Sequence, residues 1–172
     1  MNKVTLGLVV IVVSFTILIF YYGLKTEKIY NTEDLVGKPI LEIDLKLLNE
    51  NKIFNTRELT NNNFTLINFW ASWCGPCRKE HKHLVRLSKN KNIKILGINL
   101  RDERSQANKF IKKMGNPYYL IASDYDGKKA IHFGVYGIPE TILINKDLTI
   151  IKKYIGPIDG QDVKKILRLV SE

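Results

Sequence analysis

A pair of cysteines at the junction of a predicted strand and a predicted helix restricts the fold of this 172-residue chain more than any other feature. The two cysteines of the chain are Cys74 and Cys77. The apolar segment FTLINFW, rich in aromatic and branched side chains, predicts a short strand. The following segment, CGPCRKEHKHLVRLSK, predicts a helix, and Pro76 is compatible with it because proline is tolerated in the first helical turn. The pattern places Cys74 at the amino terminus of a helix that follows a strand.

Cysteines in this arrangement could staple the chain, bind a metal ion or exchange electrons with a partner. A disulfide across so small a loop removes little entropy from the unfolded chain, so a purely stabilising role fits poorly. Zinc takes four ligands, or three and a water, and the sequence offers only His81 within helical reach of Cys77, so we predict no metal site. Unpaired N–H groups and the helix dipole favour a thiolate at Cys74, so redox exchange fits best.

In a redox reaction the two sulfur atoms have unequal roles. Cys74 attacks the disulfide of a partner and forms a mixed disulfide, and Cys77, one helical turn further on, resolves it. The short spacing makes this second step intramolecular. The sequence therefore predicts a thiol:disulfide oxidoreductase whose redox centre is the Cys74–Cys77 disulfide and which uses no other cofactor.

The amino-terminal segment is the second strong feature. Residues 4–24 carry no charge and separate Lys3 from Lys25. As a helix rising 1.5 Å per residue they would extend roughly 31 Å, which is the thickness of the hydrocarbon core of a bilayer. Tyr21 and Tyr22 stand at the far end, where aromatic rings suit the membrane interface and where signal-peptide cleavage would need small residues. We predict an uncleaved transmembrane anchor at 4–24 rather than a cleaved signal peptide.

The charge of the chain is strongly positive, with 27 lysines and arginines against 17 acidic residues and a net charge of +10. Its lysines come in scattered pairs and not in a stripe interleaved with aromatic side chains, so the sequence predicts no nucleic-acid binding. A solvated, lysine-rich surface is the simplest interpretation. The charge could also steer an acidic partner or a phospholipid surface.

After a polar linker, predicted at residues 25–34, the chain alternates between strand and helix patterns. ILEIDLKLL and NKIFNT predict a β-hairpin, and LTNNN predicts a loop. The later segments predict strands at FTLINFW, IKILGINL, YYLIASD, ETILIN and TIIKKYI, the last two as a hairpin, and helices at ERSQANKFIKKMG, GKKAIHFGV and DGQDVKKILRLVSE. Alternation of this kind predicts an α/β sheet, here with an amino-terminal β-hairpin extension.

The segment around Pro139 resembles part of a known fold. YGIPET places Pro139 directly before the predicted strand ETILIN. In combination, WCGPC and GIPE resemble the thioredoxin fold. In that family the matching proline is cis and packs against the active disulfide, and the residue before it, here Ile138, offers its backbone to an extended substrate chain. A cis X-Pro bond is uncommon enough to need such a reason.

Five segments indicate one subfamily of the thioredoxin family by their order and spacing. They are LVGKP, NFWASWCGPCRKEH, ILGINLRD, GNPY and FGVYGIPETILI. Over residues 35–160 the chain resembles the membrane-anchored thiol:disulfide interchange proteins of cytochrome c maturation, the CcmG/DsbE type. The resemblance implies a thioredoxin-like domain, which we place at residues 35–172. In that domain Cys74 and Cys77 would be the redox pair and Pro139 the cis proline.

The same resemblance implies a function and a location. The protein would reduce the disulfide of the CxxCH segment in apocytochrome c before haem attachment. A transmembrane thiol reductant of the DsbD/CcdA type would supply the electrons, beside other cytochrome c maturation proteins. Residues 1–3 would lie in the cytoplasm, with a single span of the inner membrane and a catalytic domain in the periplasm. A general extracytoplasmic oxidoreductase and a copper or haem chaperone are the alternatives.

The proton shuttle of the reaction has two candidates. Asn68 stands where thioredoxins carry a buried aspartate near the resolving cysteine, so that aspartate cannot be the shuttle here. Glu80, three residues after Cys77, is the first candidate, and Glu140, directly after Pro139, is the second. A partly buried carboxylate near a sulfur can have a raised pKa and exchange protons near neutrality. Spacing alone leaves Glu80 equally well explained as a solvated residue of its helix.

The substrate contacts are expected around the cis proline. An extended apocytochrome segment would lie against Pro139, with Trp73 and Ile138 offering apolar contact. Glu140 could meet the basic or amide groups that flank a CxxCH motif. Backbone pairing of this kind supplies affinity, and the side chains beside it select the partner.

Overall fold

The computed structural model describes residues 2–25 and 33–171 and divides the chain into two units, Met1–Asn31 and Thr32–Glu172. The described part of the first unit is one helix, α1, Lys3–Lys25. Over Lys3–Leu24 this helix is long and apolar enough to cross a membrane. Its bounds enclose the predicted anchor, and most of the predicted linker, residues 26–32, lies outside the described residues.

The second unit, as described from residue 33 to residue 171, is built on a seven-stranded mixed sheet with the strand order β2-β1-β5-β4-β3-β6-β7. Strands β3, β4 and β5 run parallel to one another, and the other neighbours pair antiparallel. The strands are β1 Asp44–Leu47, β2 Ile53–Asn55, β3 Phe64–Trp70, β4 Ile93–Leu100, β5 Leu120–Asp124, β6 Glu140–Asn145 and β7 Ile150–Ile155.

Helices cover both faces of this sheet. They are α2 Gly75–Leu87, α3 Arg104–Met114, α4 Lys128–His132 and α5 Gly160–Leu169. Successive residues of β3, such as Leu66 and Ile67, enter two different hydrophobic cores because neighbouring side chains of a strand point to opposite faces. Helices α2, α3 and α5 pack into the core that contains Leu66, whereas α4 packs into the core that contains Ile67.

All buried residues of both cores belong to the second unit. No part of the apolar segment of α1 is buried. The second unit therefore contains the packing that it needs to fold by itself.

The predicted amino-terminal hairpin is confirmed, although its first strand is shorter than predicted. β1 and β2 pair antiparallel, and β1 also pairs antiparallel with β5, so the hairpin extends the main sheet. The segment LTNNN, predicted as a loop, mostly belongs to a 3-10 helix at Thr56–Asn61. Asn55 accepts a hydrogen bond from the backbone of Arg57 while the Glu58 carboxylate accepts one from the backbone of Asn55, so a capping box starts this helix.

The predicted ends of the longer helices are largely confirmed. Helix α2 begins after Cys74, as predicted, but ends at Leu87 and not at Lys89. Gly115 ends α3 with a φ of 90°, a conformation that glycine adopts without strain. Asp159 is the N-cap of α5 and shares a capping box with Asp162.

Candidate active site

The pairing of β3 with β6 brings the cysteines and the proline segment to one end of the sheet. β3 ends at Trp70, four residues before Cys74, and β6 begins at Glu140, directly after Pro139. The register of the two strands pairs Phe69 with Glu140. The turn that leads to Cys74 and the turn that contains Pro139 therefore lie at the same end of the sheet. The Ile138–Pro139 peptide bond is cis, as the resemblance to the thioredoxin fold implied.

Cys74 and Cys77 form a disulfide at the start of α2, with their Cα atoms 5.3 Å apart. Cys74 is the N-cap residue, and its sulfur accepts a hydrogen bond from the backbone N–H of Cys77 at 3.1 Å. Both cysteines are buried. After reduction the same N–H and the unpaired N–H groups of the first helical turn would stabilise a thiolate on Cys74.

A buried carboxylate lies one turn beyond the disulfide. Glu80 is 1% exposed, and each of its carboxylate oxygens accepts one hydrogen bond. Asn68 Nδ2 donates to Oε1 at 2.9 Å, and the backbone N–H of Ile158 donates to Oε2 at 2.8 Å. No basic side chain is paired with this carboxylate among the ion pairs of the described residues. The interpretation of Glu80 as a solvated helix residue is therefore wrong.

Asn68 connects this carboxylate to β6 and to the segment that precedes β5. Its Nδ2 also donates to Thr141 Oγ1 at 3.0 Å, and its Oδ1 accepts from the Tyr118 hydroxyl at 2.9 Å. Burial, helped by the nearby charge of Glu80, raises the pKa of Tyr118 well above its ordinary value, so this hydroxyl keeps its proton and remains a donor. Every polar atom of the Asn68 amide thus has a partner, which fixes the position of Glu80.

Burial raises the pKa of Glu80 from its ordinary value of 4.5 to about 7. Desolvation of the charged carboxylate is the largest cause, and the hydrogen bonds from Ile158 and Asn68 offset it only in part. A group with this pKa is protonated in about half of the molecules near neutral pH, so it can both accept and release a proton there.

Glu140 has a different environment on the other side of the sheet. Its Oε2 lies 2.7 Å from the Nζ of Lys153, and both side chains are almost completely buried. Its Oε1 accepts the backbone N–H groups of Tyr136 and Gly137, each at 3.1 Å. Lys153 also donates to the Gly134 carbonyl. This buried ion pair holds the turn that leads to Pro139.

The two candidate carboxylates are separated by the sheet. The register pairs Asn68 with Thr141 and Phe69 with Glu140. Because neighbouring residues of a strand point to opposite faces, Glu140 lies on the face opposite to Asn68 and its partner Glu80. Both oxygens of Glu140 are also occupied by the lysine and the backbone. The geometry favours Glu80 as the proton-exchanging group and Glu140 as the residue that shapes the proline turn.

The predicted substrate contacts differ in their exposure. Trp73 is 61% exposed, and its indole Nε1 donates to the Arg101 carbonyl at 3.0 Å. Ile138 is half-buried and packs against both cores, and Pro139 is buried. Tyr136, in the same turn as Pro139, is exposed at the surface. An exposed aromatic side chain therefore lies in each of the two turns of the site.

A third buried carboxylate, Asp102, holds the turn before Cys74. Its oxygens accept the backbone N–H of Ser72 at 2.6 Å and the Ser72 hydroxyl at 2.7 Å. They also accept from Asn99 Nδ2 and from the backbone N–H of Glu103, both at 2.9 Å. These contacts tie the turn before the disulfide to the connection between β4 and α3. Sequence reasoning did not identify Asp102, although it ends the quoted segment ILGINLRD.

His81 is a packed residue. Its Nε2 donates to the Gly115 carbonyl at 2.8 Å, and its ring meets the Phe110 ring edge-on at 4.9 Å between centroids. In the described ranges, 2–25 and 33–171, no group of three or more His, Cys, Asp and Glu side chains is placed to hold a metal ion.

Comparison with known proteins agrees with this geometry. A family model described as Redoxin matches residues 35–170. The thiol:disulfide interchange protein DsbE of Allochromatium vinosum is 36% identical over 143 residues, which are 83% of this chain and 79% of that protein. The chain belongs to the redoxin family, among the DsbE-type thiol:disulfide interchange proteins. The redoxin domain carries the Cys74–Cys77 disulfide, and the protein is a thiol:disulfide oxidoreductase.

Two further relatives extend the comparison. The thiol:disulfide interchange protein CycY of Rhizobium leguminosarum bv. viciae is 46% identical over 101 residues, 59% of this chain and 54% of that protein. The solved thioredoxin domain of a thiol-disulfide oxidoreductase from Bacteroides vulgatus has a TM-score of 0.67 at 20% identity and covers 78% of this chain and 97% of its own. The predicted thioredoxin-like α/β fold is confirmed.

Several residues of the site escaped sequence reasoning. Tyr118 lies in GNPY, one of the segments on which the resemblance rests, but no role was assigned to it. Thr141 directly follows Glu140, which was predicted as a site residue. The sequence places Lys153 in a predicted strand and gives no indication that it would pair with Glu140. Ile158 contributes a backbone N–H, which a sequence does not reveal.

The first prediction concerns Glu80→Gln. Because the folded-state pKa of about 7 exceeds the ordinary 4.5, the native state holds a proton that the unfolded state releases. The stability from protonated Glu80 is therefore complete below about pH 4.5 and decreases as the pH rises through about 7, by about 3 kcal/mol. We expect Glu80→Gln to remove this decrease in denaturant unfolding of the oxidised protein. The exposed Glu50→Gln should keep it, and equal pH slopes in all three proteins would contradict the assignment.

The second prediction concerns Asp102→Asn. The amide nitrogen of the new side chain would face donors, so at least one buried N–H or hydroxyl loses its acceptor, at a cost of about 1–3 kcal/mol. Ser72→Ala should have a smaller effect because the backbone contact of Ser72 remains. In Asp102→Asn we also expect a changed iodide quenching of the exposed Trp73. Asp147→Asn, at an exposed position, is the control, and unchanged stability with unchanged quenching would refute the role of Asp102 in holding the turn.

Proposed function

We propose that this protein is a membrane-anchored, periplasmic reductase of apocytochrome c. In this role it would reduce the disulfide of a CxxCH segment so that haem can attach to the free thiols. The observation that carries the proposal is the juxtaposition of the Cys74–Cys77 disulfide with the cis-Pro139 turn of the GVYGIPET segment. That segment is part of the resemblance to the CcmG/DsbE type, and DsbE-type relatives support it.

The reaction begins with reduced Cys74 as a thiolate at the amino terminus of α2. Its sulfur attacks one sulfur of the substrate disulfide, so the substrate S–S bond breaks and a mixed disulfide forms. The released substrate sulfur takes up a proton. Cys77 then loses its proton and attacks the sulfur of Cys74. This step frees the second substrate thiol and forms the Cys74–Cys77 disulfide, so two electrons pass from the protein to the substrate.

Glu80 is the proposed proton acceptor for Cys77. It lies three residues further along α2, and both side chains are buried on the same side of the sheet. A carboxylate with a pKa near 7 can take the Cys77 proton when resolution starts and return it to solvent or substrate afterwards. Asn68 holds the carboxylate in place, and no other cofactor takes part in the proposed reaction.

The substrate chain would bind along the proline turn. The backbone of Ile138, directly before the cis peptide bond, would hydrogen-bond an extended peptide segment, as in other cases of strand addition. Trp73, in the turn before Cys74, and Tyr136, in the turn that contains Pro139, are both exposed and would offer aromatic contact to the substrate. Glu140 is buried in an ion pair with Lys153 and holds the proline turn, so its proposed contribution to substrate binding is indirect.

The proposed location follows from α1 and from the electron supply. Helix α1 would cross the inner membrane once, with residues 1–3 in the cytoplasm and the redoxin domain in the periplasm. A transmembrane thiol reductant of the DsbD/CcdA type would return the Cys74–Cys77 disulfide to the dithiol. Other cytochrome c maturation proteins would receive the reduced apocytochrome.

The third prediction tests the substrate directly. In cells that make c-type cytochromes, Cys77→Ser should accumulate mixed disulfides between Cys74 and apocytochrome c, because attack remains and resolution is blocked. Acid quenching, alkylation and mass spectrometry identify the trapped partners. Cys74→Ser is the matched control, since it keeps one cysteine of the pair but lacks the attacking sulfur, and it should trap little.

Deletion of the gene tests the same proposal in cells. Haem-stained denaturing gels should show fewer c-type cytochromes, partly restored by an added small-molecule thiol, while b-type haem proteins remain. Equal trapping by both cysteine variants would contradict the assigned roles. A rich set of Cys74 adducts without cytochrome peptides would instead identify a general extracytoplasmic oxidoreductase.

A further inference from the structure

The positive charge of the protein is concentrated on three helices. Together α2, α3 and α5 contain eleven lysines and arginines and two acidic residues, which is a formal charge of +9. The whole chain has a net charge of +10. All eleven basic residues are exposed, whereas one of the two acids, Glu80, is buried. The remainder of the chain is therefore almost neutral, although the lysines are scattered as pairs along the sequence.

These three helices form one layer on the same side of the sheet. Their apolar side chains enter a single core, and the Arg78 guanidinium of α2 lies over the Phe110 ring of α3, 5.0 Å from its centroid. The layer places Lys112–Lys113 and Lys164–Lys165 on one surface, although they are far apart in sequence. We call the exposed side chains of α2, α3 and α5 the three-helix face. Among the described residues, one ion pair lies within it, between Lys165 and Asp162 at 3.6 Å.

We infer that the three-helix face binds the anionic headgroups of a phospholipid surface. Lysine and arginine near such a surface are each attracted by the negative headgroups, and their long alkyl stems let the charged ends reach them. The exposed residues of the three helices include no Trp, Tyr or Phe side chain. A single-stranded nucleic acid would need such rings for stacking, so the composition of the face disfavours that ligand.

The covalent connection to α1 favours lipid over an acidic protein as the occupant. Residues 26–32 join α1 to the described part of the domain, and seven residues span at most about 25 Å when fully extended. With α1 in a membrane, the domain cannot leave the surface and meets headgroups at a high effective concentration. This inference depends on α1 as the anchor and not on the identity of the disulfide substrate.

The direct test uses the second unit alone, from residue 33 onward, since both cores lie within it. Sedimentation with vesicles measures its partition between water and lipid. We expect binding to phosphatidylcholine vesicles that contain phosphatidylglycerol and none to pure phosphatidylcholine. Added NaCl should release the domain, because salt screens charges at the surface. Equal partition onto both vesicle types, or no partition onto either, would overturn the inference.

Two matched variants locate the binding face. In the first, Lys82, Lys109, Lys112 and Lys164 of the three-helix face are changed to Gln. In the second, four exposed lysines elsewhere are changed to Gln, namely Lys38, Lys46, Lys52 and Lys146. Both variants have the same net charge. We expect the partition coefficient to fall at least about tenfold for the first variant and to stay within about twofold for the second.

Thiol exchange with a small disulfide and the thermal unfolding midpoint verify that both variants remain folded. An equal loss of partition in the two variants would show that only the net charge matters and would refute a defined face. The vesicle and salt dependence of the wild-type domain tests the inference even if one variant fails to fold. Binding to an acidic protein without binding to the anionic vesicles would replace lipid with a protein partner.

Discussion

The hydrogen bond between Asn68 and the buried Glu80 carboxylate is the interaction on which the active site depends. Asn68 lies on β3, and Glu80 lies one turn beyond Cys77 on α2. Through this pair, Thr141 of β6, Tyr118 before β5 and Ile158 before α5 are all joined to the helix that carries the disulfide. The same burial raises the pKa of Glu80 to about 7. The hydrogen bonds therefore fix the position of the Glu80 carboxylate, whereas its burial raises its proton affinity.

The sheet gives the two buried glutamates separate tasks. Glu80, without a basic partner among the described ion pairs, can change its protonation state near neutral pH. Glu140 is paired with Lys153 and with backbone N–H groups, and it holds the turn of Pro139 on the opposite face. Asp102 completes the support by fixing the turn before Cys74. Glu80, the Pro139 turn and the turn before Cys74 thus each involve a different buried carboxylate: one that can titrate near neutral pH, one in an ion pair and one that accepts backbone and hydroxyl hydrogen bonds.

Sequence patterns predicted the redox pair and the α/β sheet because these depend on local spacing and on apolar periodicity, whereas the cis proline was implied by the resemblance to the thioredoxin fold. They could not distinguish Glu80 from Glu140, since a carboxylate's role depends on its burial and on residues distant in sequence, such as Ile158 and Lys153. The 3-10 helix at Thr56–Asn61 was missed because its capping residue Asn55 lay in NKIFNT, which was interpreted as a strand, and its last residues lay in LTNNN, which was interpreted as a loop. The three-helix face required knowledge of which helices share one side of the sheet.

The most direct test of this account is a measurement of the Glu80 carboxyl itself. In the oxidised protein, the ¹³C chemical shift of the Glu80 side-chain carboxyl can be followed by NMR as the pH is varied, with Glu80→Gln used to assign the signal. The account predicts a titration midpoint near pH 7, because desolvation outweighs the two hydrogen bonds that favour the charged form. A midpoint near the ordinary 4.5 would contradict the account, since a carboxylate of that kind would not exchange protons with Cys77 at neutral pH.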